Sequence, residues 1–265
     1  MMDAPILGEP SMTRPLQGAV AVITGASSGL GRRFARVLSQ AGASVALMAR
    51  RVDRLEDLAA ELRDQGGQAQ AFALDVADAQ AIGPALLAAQ TALGPLSILV
   101  NNAGVGGDGG ALDLSIESFD ATFDVNVRGV FFAAREAARL MIDNGEAAAG
   151  RARIVNIASI AADTVLPGLS AYYASKAAVT AMTKVMAREW ARRGVAVNAL
   201  CPGYIETEIN DAWFATDGGR AQVAAFPRRR LMDETALDEA LLMLSGPGAK
   251  FITGSLIRVD DGQSL

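Results

Sequence analysis

Seven short apolar runs alternate with amphipathic stretches from Gln17 onward, and this alternation restricts the fold more than any other feature of the chain. The runs that we interpret as β-strands are Ala19–Thr24, Ser44–Ala49, Gln68–Ala73, Ser97–Asn101, Arg153–Ala158, Val195–Leu200 and Ser255–Val259. The helical patterns are Leu30–Gln40, Asp53–Gln65, Asp78–Leu93, Ser115–Asp143, Ala171–Arg192 and Asp233–Leu244. Because the strand runs are apolar almost throughout, we expect both faces of the strands to be covered. The pattern therefore predicts an α/β fold, a doubly wound parallel sheet of about seven strands with helices on both faces.

No linker, repeat or low-complexity segment divides this pattern. We predict one domain over residues 16–265, preceded by a flexible N-terminal extension over residues 1–15. Residues 204–229 interrupt the rhythm, because this stretch is irregular, contains Gly218-Gly219 and Pro227, and includes Trp213 and Phe214. A long interruption after the carboxyl end of a strand commonly forms a lid over a binding site, and we predict a substrate lid here. A surface excursion or a subunit contact is the alternative.

The residue inventory excludes several kinds of site. The 265 residues include no histidine and one cysteine, Cys201, which excludes a His-based triad, a His-containing metal site and an intrachain disulfide. We expect no metal, and we interpret Cys201 as a small buried apolar residue. The formal net charge of −5 argues against a nucleic-acid partner. Residues 1–15 lack the apolar core of a signal peptide, and no apolar run approaches the roughly 18 residues of a membrane span. We therefore expect a cytoplasmic protein without membrane contact.

A glycine-rich turn joins the first predicted strand to the first predicted helix. It reads Thr24-Gly25-Ala26-Ser27-Ser28-Gly29-Leu30-Gly31, with glycines spaced as G-x-x-x-G-x-G. Glycines let a backbone turn sharply and approach a pyrophosphate, while the helix N-terminus presents free N–H groups and a positive dipole end. A Gly/Ser-rich turn with an N-cap is the alternative. The predicted phosphate-binding residues are Gly25, Ser27, Ser28, Gly29, Leu30 and Gly31.

Three further elements follow predicted strands at the edge where open α/β sheets bind ligands. Arg50 and Arg51 follow the second strand, where a protein that prefers NAD usually has an acid for the ribose 2′-OH, and two arginines suit a 2′-phosphate. Asp75-Val76 follows the third strand, and the carboxylate is placed to bond the adenine amino group. Asn102-Ala103-Gly104 follows the fourth strand and is small enough to pass alongside a cofactor. These elements predict a dinucleotide site with NADP(H) preferred and NAD(H) possible.

A tyrosine and a lysine share one face of the fifth predicted helix. Tyr172 lies thirteen residues after Ser159, which follows the fifth strand, and Lys176 is four positions further on. Free tyrosine has a pKa near 10, and a lysine charge nearby favours the phenolate, so the spacing predicts a lowered pKa for Tyr172. A core tyrosine beside a lysine that reaches solvent is the alternative.

The motifs TGxxxGxG, NNAG, a lone asparagine in the following helix, Ser159 and YxxxK resemble those of the short-chain dehydrogenase/reductase family, which has a Rossmann-like fold. The resemblance extends from Leu16 to Gly262 and includes Pro202-Gly203 after the sixth strand. It implies an NADP(H)-preferring oxidoreductase that interconverts a ketone and a secondary alcohol by hydride transfer. No metal is required in that reaction.

The resemblance also implies roles for individual residues. Tyr172 would be the general acid/base, Lys176 would lower its pKa and bind the nicotinamide ribose, and Ser159 would hold the substrate oxygen. Asn126 would anchor a water that links Lys176 to solvent. The implied residues near the carboxamide and phosphates are Pro202, Gly203, Ile205 and Thr207.

Three positions complicate these assignments. Tyr173 is about 100° around the helix from Tyr172, and we predict that it packs or faces substrate. Ser28 stands where many NADP-dependent members of the family have a basic residue, so the 2′-phosphate would depend on Arg50 and Arg51. Asp261, in Asp260-Asp261-Gly262, replaces the more usual glycine, with no obvious catalytic consequence.

The substrate is predicted only in outline. The loops at Val105–Gly110, Ala161–Leu169 and Tyr204–Pro227 should line its pocket, and a hydrophobic or cyclic small molecule is the expectation. The predicted substrate-binding residues are Val105, Ser159, Val165, Tyr172, Tyr173, Trp213 and Phe214.

Two other functions stay open, and an oligomer is expected. A 3-oxoacyl-[acyl-carrier-protein] reductase shares these motifs, but it would need a basic docking patch, for which the candidates are Arg128, Arg220 and Arg228–Arg230. A non-catalytic cofactor-sensing protein is the second alternative. Apolar residues on more than one face of the helices Ser115–Asp143 and Ala171–Arg192 predict a homotetramer or homodimer.

Overall fold

The seven predicted strands form one sheet in which all strands are parallel. The computed structural model describes residues 14–106, 109–205 and 211–265. The strands are β1 (Val20–Thr24), β2 (Ser44–Ala49), β3 (Ala69–Ala73), β4 (Leu96–Asn101), β5 (Arg153–Ile157), β6 (Ala196–Pro202) and β7 (Leu256–Val259). Their order across the sheet is β3-β2-β1-β4-β5-β6-β7. The predicted α/β, Rossmann-like fold is confirmed.

Helices pack on both faces of this sheet. They are α1 (Gly29–Gln40), α2 (Val52–Asp64), α3 (Ala79–Leu93), α4 (Ile116–Phe123), α5 (Val130–Asp143), α6 (Ser170–Trp190), α7 (Asp211–Phe214), α8 (Asp217–Ala225) and α9 (Asp238–Ser245). Successive strand residues point to opposite faces, so Ile23 joins a core with α1, α2 and α9, while its neighbour Val22 joins a core with α3, α5 and α6. Both faces of the sheet are covered by buried apolar side chains, which explains why the strands read as continuous apolar runs.

The predicted helix Ser115–Asp143 is not continuous. It divides into α4, a π-helical turn at Asp124–Gly129, and α5. Such turns are frequent at functional sites. At the end of the turn, a Cβ on Gly129 would lie 2.8 Å from the Val76 carbonyl oxygen, so glycine allows the turn to approach the loop after β3.

Two predictions in the C-terminal half of the chain were wrong. The stretch 204–229, predicted as irregular, contains α7 and α8, and Gly218-Gly219 lies in the first turn of α8 rather than in a loop. The Thr216 side chain caps this helix by accepting from the Gly219 amide at 3.0 Å, which offsets the low helix propensity of glycine. The helix predicted from Asp233 begins instead at Asp238, because the Asp233 carboxylate accepts from the Thr235 amide at 2.8 Å and holds a turn.

The sheet order places a crevice where dinucleotides bind in such folds. β1 has β2 on one side and β4 on the other, so the chain reverses its direction of travel across the sheet between β1 and β4. Loops after these strands leave the same edge and diverge, which opens a cleft at their carboxyl ends. In the part of the chain that the structure describes, no helix is both long and apolar enough to cross a membrane.

Candidate active site

One cleft of about 740 Å³ lies at the carboxyl edge of the sheet and brings together most of the predicted site residues. The predicted cofactor residues that line it are Gly25, Ser27, Ser28, Gly29, Leu30, Arg50, Arg51, Asp75, Val76, Asn102, Ala103, Gly104, Tyr172, Lys176, Pro202, Gly203 and Ile205. The predicted substrate residues that line it are Val105, Ser159, Tyr172, Tyr173, Trp213 and Phe214. Residues far apart in sequence therefore meet in one space.

The glycine-rich turn is held close to the loop after β4. A Cβ on Gly31 would collide with the Gly25 carbonyl oxygen and lie 2.5 Å from Nδ2 of Asn102. Nδ2 of Asn102 donates to the carbonyl oxygens of Thr24 (3.0 Å) and Gly25 (3.3 Å). The Thr24 hydroxyl in turn accepts from the backbone amides of Asn102 and Ala103, both at 3.0 Å. The turn and the NNAG loop are thus one rigid unit, with Gly31 at its tightest contact.

The N-terminus of α1 faces the cleft with its first amides free of a side-chain cap. Ser28 occupies the N-cap position in an extended conformation and makes no capping hydrogen bond. Its hydroxyl accepts from Nη2 of Arg51 at 2.8 Å, and the same nitrogen donates to the Ser27 hydroxyl at 3.0 Å. Arg51 therefore lies over the glycine-rich turn, and Arg50 lines the cleft beside it. This end of the cleft combines uncapped N–H groups with two guanidinium groups, which suits phosphate oxygens.

The adjoining wall comes from the loop after β3. The exposed Asp75 side chain lines the cleft, and its Oδ1 accepts from the Ala77 amide at 3.0 Å, which fixes its direction. Val76 is buried and packs against Gly129 of the π-helical turn. An acceptor beside an apolar surface fits the edge and face of an adenine ring.

Tyr172, Lys176 and Ser159 lie together at the other end of the cleft. Tyr172 and Lys176 project from the first turns of α6, and Nζ of Lys176 is 5.6 Å from the centroid of the Tyr172 ring. The Lys176 ammonium is buried and donates to the Ile157 carbonyl oxygen at 2.9 Å. Ser159, at the start of the short helical turn after β5, faces the Tyr172 hydroxyl closely enough to affect its pKa. A phenol, a hydroxyl and a buried cation therefore lie at the same end of the cleft.

Burial decides the pKa values of this group. It raises the pKa of Tyr172, and the hydrogen bond with Ser159 opposes the increase only in part. The direction is opposite to the one that the Tyr–Lys spacing predicts, because the Lys176 ammonium is turned toward Ile157 and the phenol is desolvated. Burial also lowers the pKa of Lys176 from 10.5 to about 8. Each group is thus shifted toward its neutral form.

Asn126 lies behind the cleft in the π-helical turn and does not line it. Its Oδ1 accepts from the Val105 amide at 2.8 Å, while Nδ2 donates to the Val105 carbonyl oxygen at 2.9 Å and to the Ser175 hydroxyl at 3.0 Å. Both amide hydrogens are therefore used. The side chain joins the loop after β4 to α6, one residue before Lys176.

The family model for short chain dehydrogenases matches residues 19–218, most of the chain described above. The chain belongs to the short-chain dehydrogenase family. It is an NAD(P)-dependent oxidoreductase that acts on CH–OH groups.

Curated and solved relatives extend over almost the whole of this short-chain dehydrogenase. Gluconate 5-dehydrogenase of Gluconobacter oxydans (strain 621H) is 34% identical over 93% of this chain and 95% of its own length. Galactitol 2-dehydrogenase (L-tagatose-forming) of Cereibacter sphaeroides is 35% identical over 94% and 96%. A crystal structure of a gluconate 5-dehydrogenase from Burkholderia cenocepacia J2315, in complex with NADP and tartrate, is 33% identical over 95% of this chain and 97% of that chain, with a TM-score of 0.89.

A few predicted residues of this dehydrogenase do not line the cleft. Val165 is 91% exposed and does not line the cleft, whereas its neighbour Leu166 does. Gly31 acts through close packing rather than through the cleft surface. Thr207 and most of residues 1–15 lie outside the described residues.

Sequence reasoning left several contributors out of the predicted set. Tyr204 and Gln222 line the cleft, and both fall inside the predicted lid, but no motif marks them. Tyr204 stacks on Phe226 (5.5 Å between centroids), and burial together with the proximity of Tyr204 raises the pKa of Tyr173. Ser175 and the hydroxyl of Thr24 were also missed. Thr24 stands inside the TGxxxGxG motif, so its position was a usable signal.

Proposed function

We propose that this short-chain dehydrogenase prefers NADP(H) and interconverts a ketone and a secondary alcohol, with Tyr172 as general acid/base. One observation carries the proposal: Tyr172, Ser159 and Lys176 line the same cleft as the glycine-rich turn and the Arg50–Arg51 pair. The single-domain organisation and the lid over residues 204–229 are part of this proposal.

The described residues fit a nicotinamide dinucleotide along the cleft. The uncapped N-terminus of α1 would hold the pyrophosphate, and Gly29, at which an added Cβ meets open space, leaves room for it. Arg50 and Arg51 would hold a 2′-phosphate, and Asp75 the adenine amino group. When bound, the nicotinamide supplies or accepts the hydride.

The protein's own groups would then move the proton. Tyr172 donates its phenolic proton to the carbonyl oxygen in reduction and accepts it in oxidation, while Ser159 holds the same oxygen. Lys176 supplies a cation beneath the phenol, where its charge favours the phenolate that forms during reduction. Asn126 positions the loop that carries Val105 against α6, and so aligns both walls of the site.

The substrate half of the cleft supports a neutral substrate with an apolar body. Its described walls include Leu166, Leu169, Trp213 and Phe214. The only cations on the described lining are Arg50, Arg51 and Lys176, and the two arginines lie at the phosphate end. An anionic substrate such as an aldonate would meet only the buried Lys176 ammonium, which already donates to the Ile157 carbonyl oxygen, and this disfavours its transfer from water.

The alternative functions fit less well. An acidic carrier protein needs unpaired cations at the cleft mouth, yet Arg128 pairs with Asp124, Arg220 with Asp217, and Arg228 and Arg230 with Asp261. A non-catalytic role is not needed to explain a chain whose family acts on CH–OH groups.

Cofactor preference is tested by replacing the arginines. We expect kcat/KM to be higher with NADPH than with NADH, and we expect Arg51→Ala to lower the NADPH value by about tenfold or more with less than threefold change for NADH, since charge-assisted bonds to a phosphate are lost. Steady-state oxidation of both cofactors with a panel of neutral ketones measures this. Arg192→Ala, in the exposed turn before β6 at the opposite edge of the sheet, is the control. Higher kcat/KM with NADH in the unchanged protein would refute the preference, and no ketone turnover would refute the activity.

We further propose a homodimer or homotetramer built on α4, α5 and α6. Their outer faces carry exposed apolar side chains, namely Ile116, Phe119, Phe131 and Val185. Light scattering after size exclusion should give a multiple of the 27.4 kDa chain mass. Phe131→Glu should reduce that mass, whereas Leu87→Glu, on the exposed face of α3, should not. A monomer in the unchanged protein would exclude the assembly.

A further inference from the structure

The C-terminal turn after β7 contacts both ends of the lid. At the beginning of the lid, Oε1 of Gln263 accepts from the Tyr204 amide at 2.6 Å, and Nε2 donates to the Tyr204 carbonyl oxygen at 3.2 Å. At its end, Oδ1 of Asp261 lies 3.1 Å from Nε of Arg228, and Oδ2 lies 2.9 Å from Nε of Arg230. Two side chains of one turn therefore bind two segments of the chain that are more than twenty residues apart.

Backbone strain is concentrated at the same contact. Within the described ranges, Arg229 (φ 50°) and Asp261 (φ 53°) are the non-glycine residues with positive φ. A side chain other than glycine costs energy there and persists where the surroundings determine the conformation. Asp261 keeps a carboxylate that is largely buried between two arginines, while Arg229 directs its two neighbours toward it. The positive-φ residues Arg229 and Asp261 therefore lie where the ion pairs of Asp261 with Arg228 and Arg230 form.

The lid carries the aromatic wall of the substrate half. The Tyr204 ring lies edge-on to Phe214 at 5.7 Å and stacks on Phe226. Trp213, Phe214 and Tyr204 all line the cleft, as does Tyr173, the residue next to Tyr172. A displacement of Tyr204 would therefore move the wall against which a substrate packs.

We propose that Asp261 and Gln263 are positioning residues for substrate binding: they hold the two ends of the lid and, through Tyr204, its aromatic side chains. Neither residue lines the cleft, so they act through the lid and not by contact with substrate. The Arg228–Arg230 run thereby attaches the lid to the C-terminal turn.

Asp261→Gly separates positioning from stability. Glycine suits φ 53°, so we expect the Tm to stay equal or rise, although both ion pairs are lost. Limited trypsinolysis should cleave after Arg220 and Arg228–Arg230 about fivefold faster, with sites outside the lid unchanged. Asp261→Asn, which tolerates the same φ, should do likewise. Asp217→Asn is the matched control, because its Arg220 pair lies wholly within the lid.

The kinetic part of the test rests on the proposed function, whereas proteolysis does not. In Asp261→Gly we expect the KM for a ketone substrate to rise about fivefold, with kcat and the KM for NADPH changed less than twofold, since only the lid is released. Unchanged lid cleavage in both Asp261 variants would overturn the proposal, as would a lower Tm with faster cleavage throughout the chain. If no ketone is turned over by the unchanged protein, the proteolysis result alone decides the positioning role.

Discussion

Tyr172→Phe is expected to lower kcat for ketone reduction by about three orders of magnitude, the middle of the range for loss of a general acid. The substitution removes one oxygen and keeps the ring, so the packing against Tyr173 (6.2 Å between centroids) and the Lys176 contact are preserved. What is lost is the proton that the hydroxyl would deliver beside Ser159. The free energy of unfolding should change little, because removing the hydroxyl also removes the cost of burying it.

Tyr173→Phe is the matched control for this prediction. Its hydroxyl faces Tyr204 and Thr164, whereas Ser159 faces Tyr172, so we expect the variant to keep most of its kcat. Steady-state assays of NADPH oxidation are made on both variants, and cofactor binding is followed by fluorescence. Together they distinguish loss of the catalytic step from loss of cofactor binding. If Tyr173→Phe were the inactive variant and Tyr172→Phe the active one, the assignment of the acid would be wrong.

The pH dependence of reduction follows from the Tyr172 environment. Because burial raises the pKa of the phenol, it stays protonated through neutral pH and can act as an acid there. Ketone reduction should therefore be flat from about pH 6 to 8 and fall only on the alkaline side, where the proton is lost. The residual rate of Tyr172→Phe should lack that alkaline fall.

The fold was predictable because each local signal agreed with the final topology. The run Ser44–Ala49 is bounded as the sequence indicates, and the ends of the other strands match the prediction or differ from it by at most two residues. The site was predictable for the same reason: parallel strands end at one edge, so motifs that follow β1, β2, β3, β4 and β5 must meet. Position along the chain was then enough to assign Arg50, Asp75 or Ser159 to the cleft.

Features that depend on tertiary contact were not predictable. A one-residue difference separates Val165, which is exposed, from Leu166, which lines the cleft, and no local pattern distinguishes them. The Asn126–Ser175 hydrogen bond joins residues 49 apart, and the π-helical turn that contains Asn126 packs Gly129 closely against Val76. The direction of the Tyr172 pKa shift failed for a related reason, since spacing gives proximity but not desolvation.

Lys176 is desolvated as well, and this leads to the second large effect. Lys176→Met should increase the free energy of unfolding, while it should reduce kcat for ketone reduction by about a hundredfold or more. Burial lowers the pKa of Lys176 from 10.5 to about 8, so the folded state holds the ammonium less readily than the unfolded chain does. The shift corresponds to about 3 kcal/mol of folding free energy. Loss of the hydrogen bond to the Ile157 carbonyl oxygen reduces this gain by about 1 kcal/mol. At pH 7 we therefore expect the free energy of unfolding to rise by about 1–3 kcal/mol.

The sign of the pH dependence distinguishes this cause from better packing of methionine. Below pH 8 both states are protonated and the penalty is fully present, while between pH 8 and 10.5 only the unfolded chain keeps the proton, so the unchanged protein gains stability as pH rises. The advantage of Lys176→Met, measured by urea unfolding, should fall by more than half from pH 7 to about pH 9.5. Lys184→Met, exposed two turns later on α6, should show no such trend. If Lys176→Met is less stable than the unchanged protein at pH 7, the surroundings stabilise the buried ammonium. Burying the cation beneath Tyr172 would then not lower the free energy of unfolding.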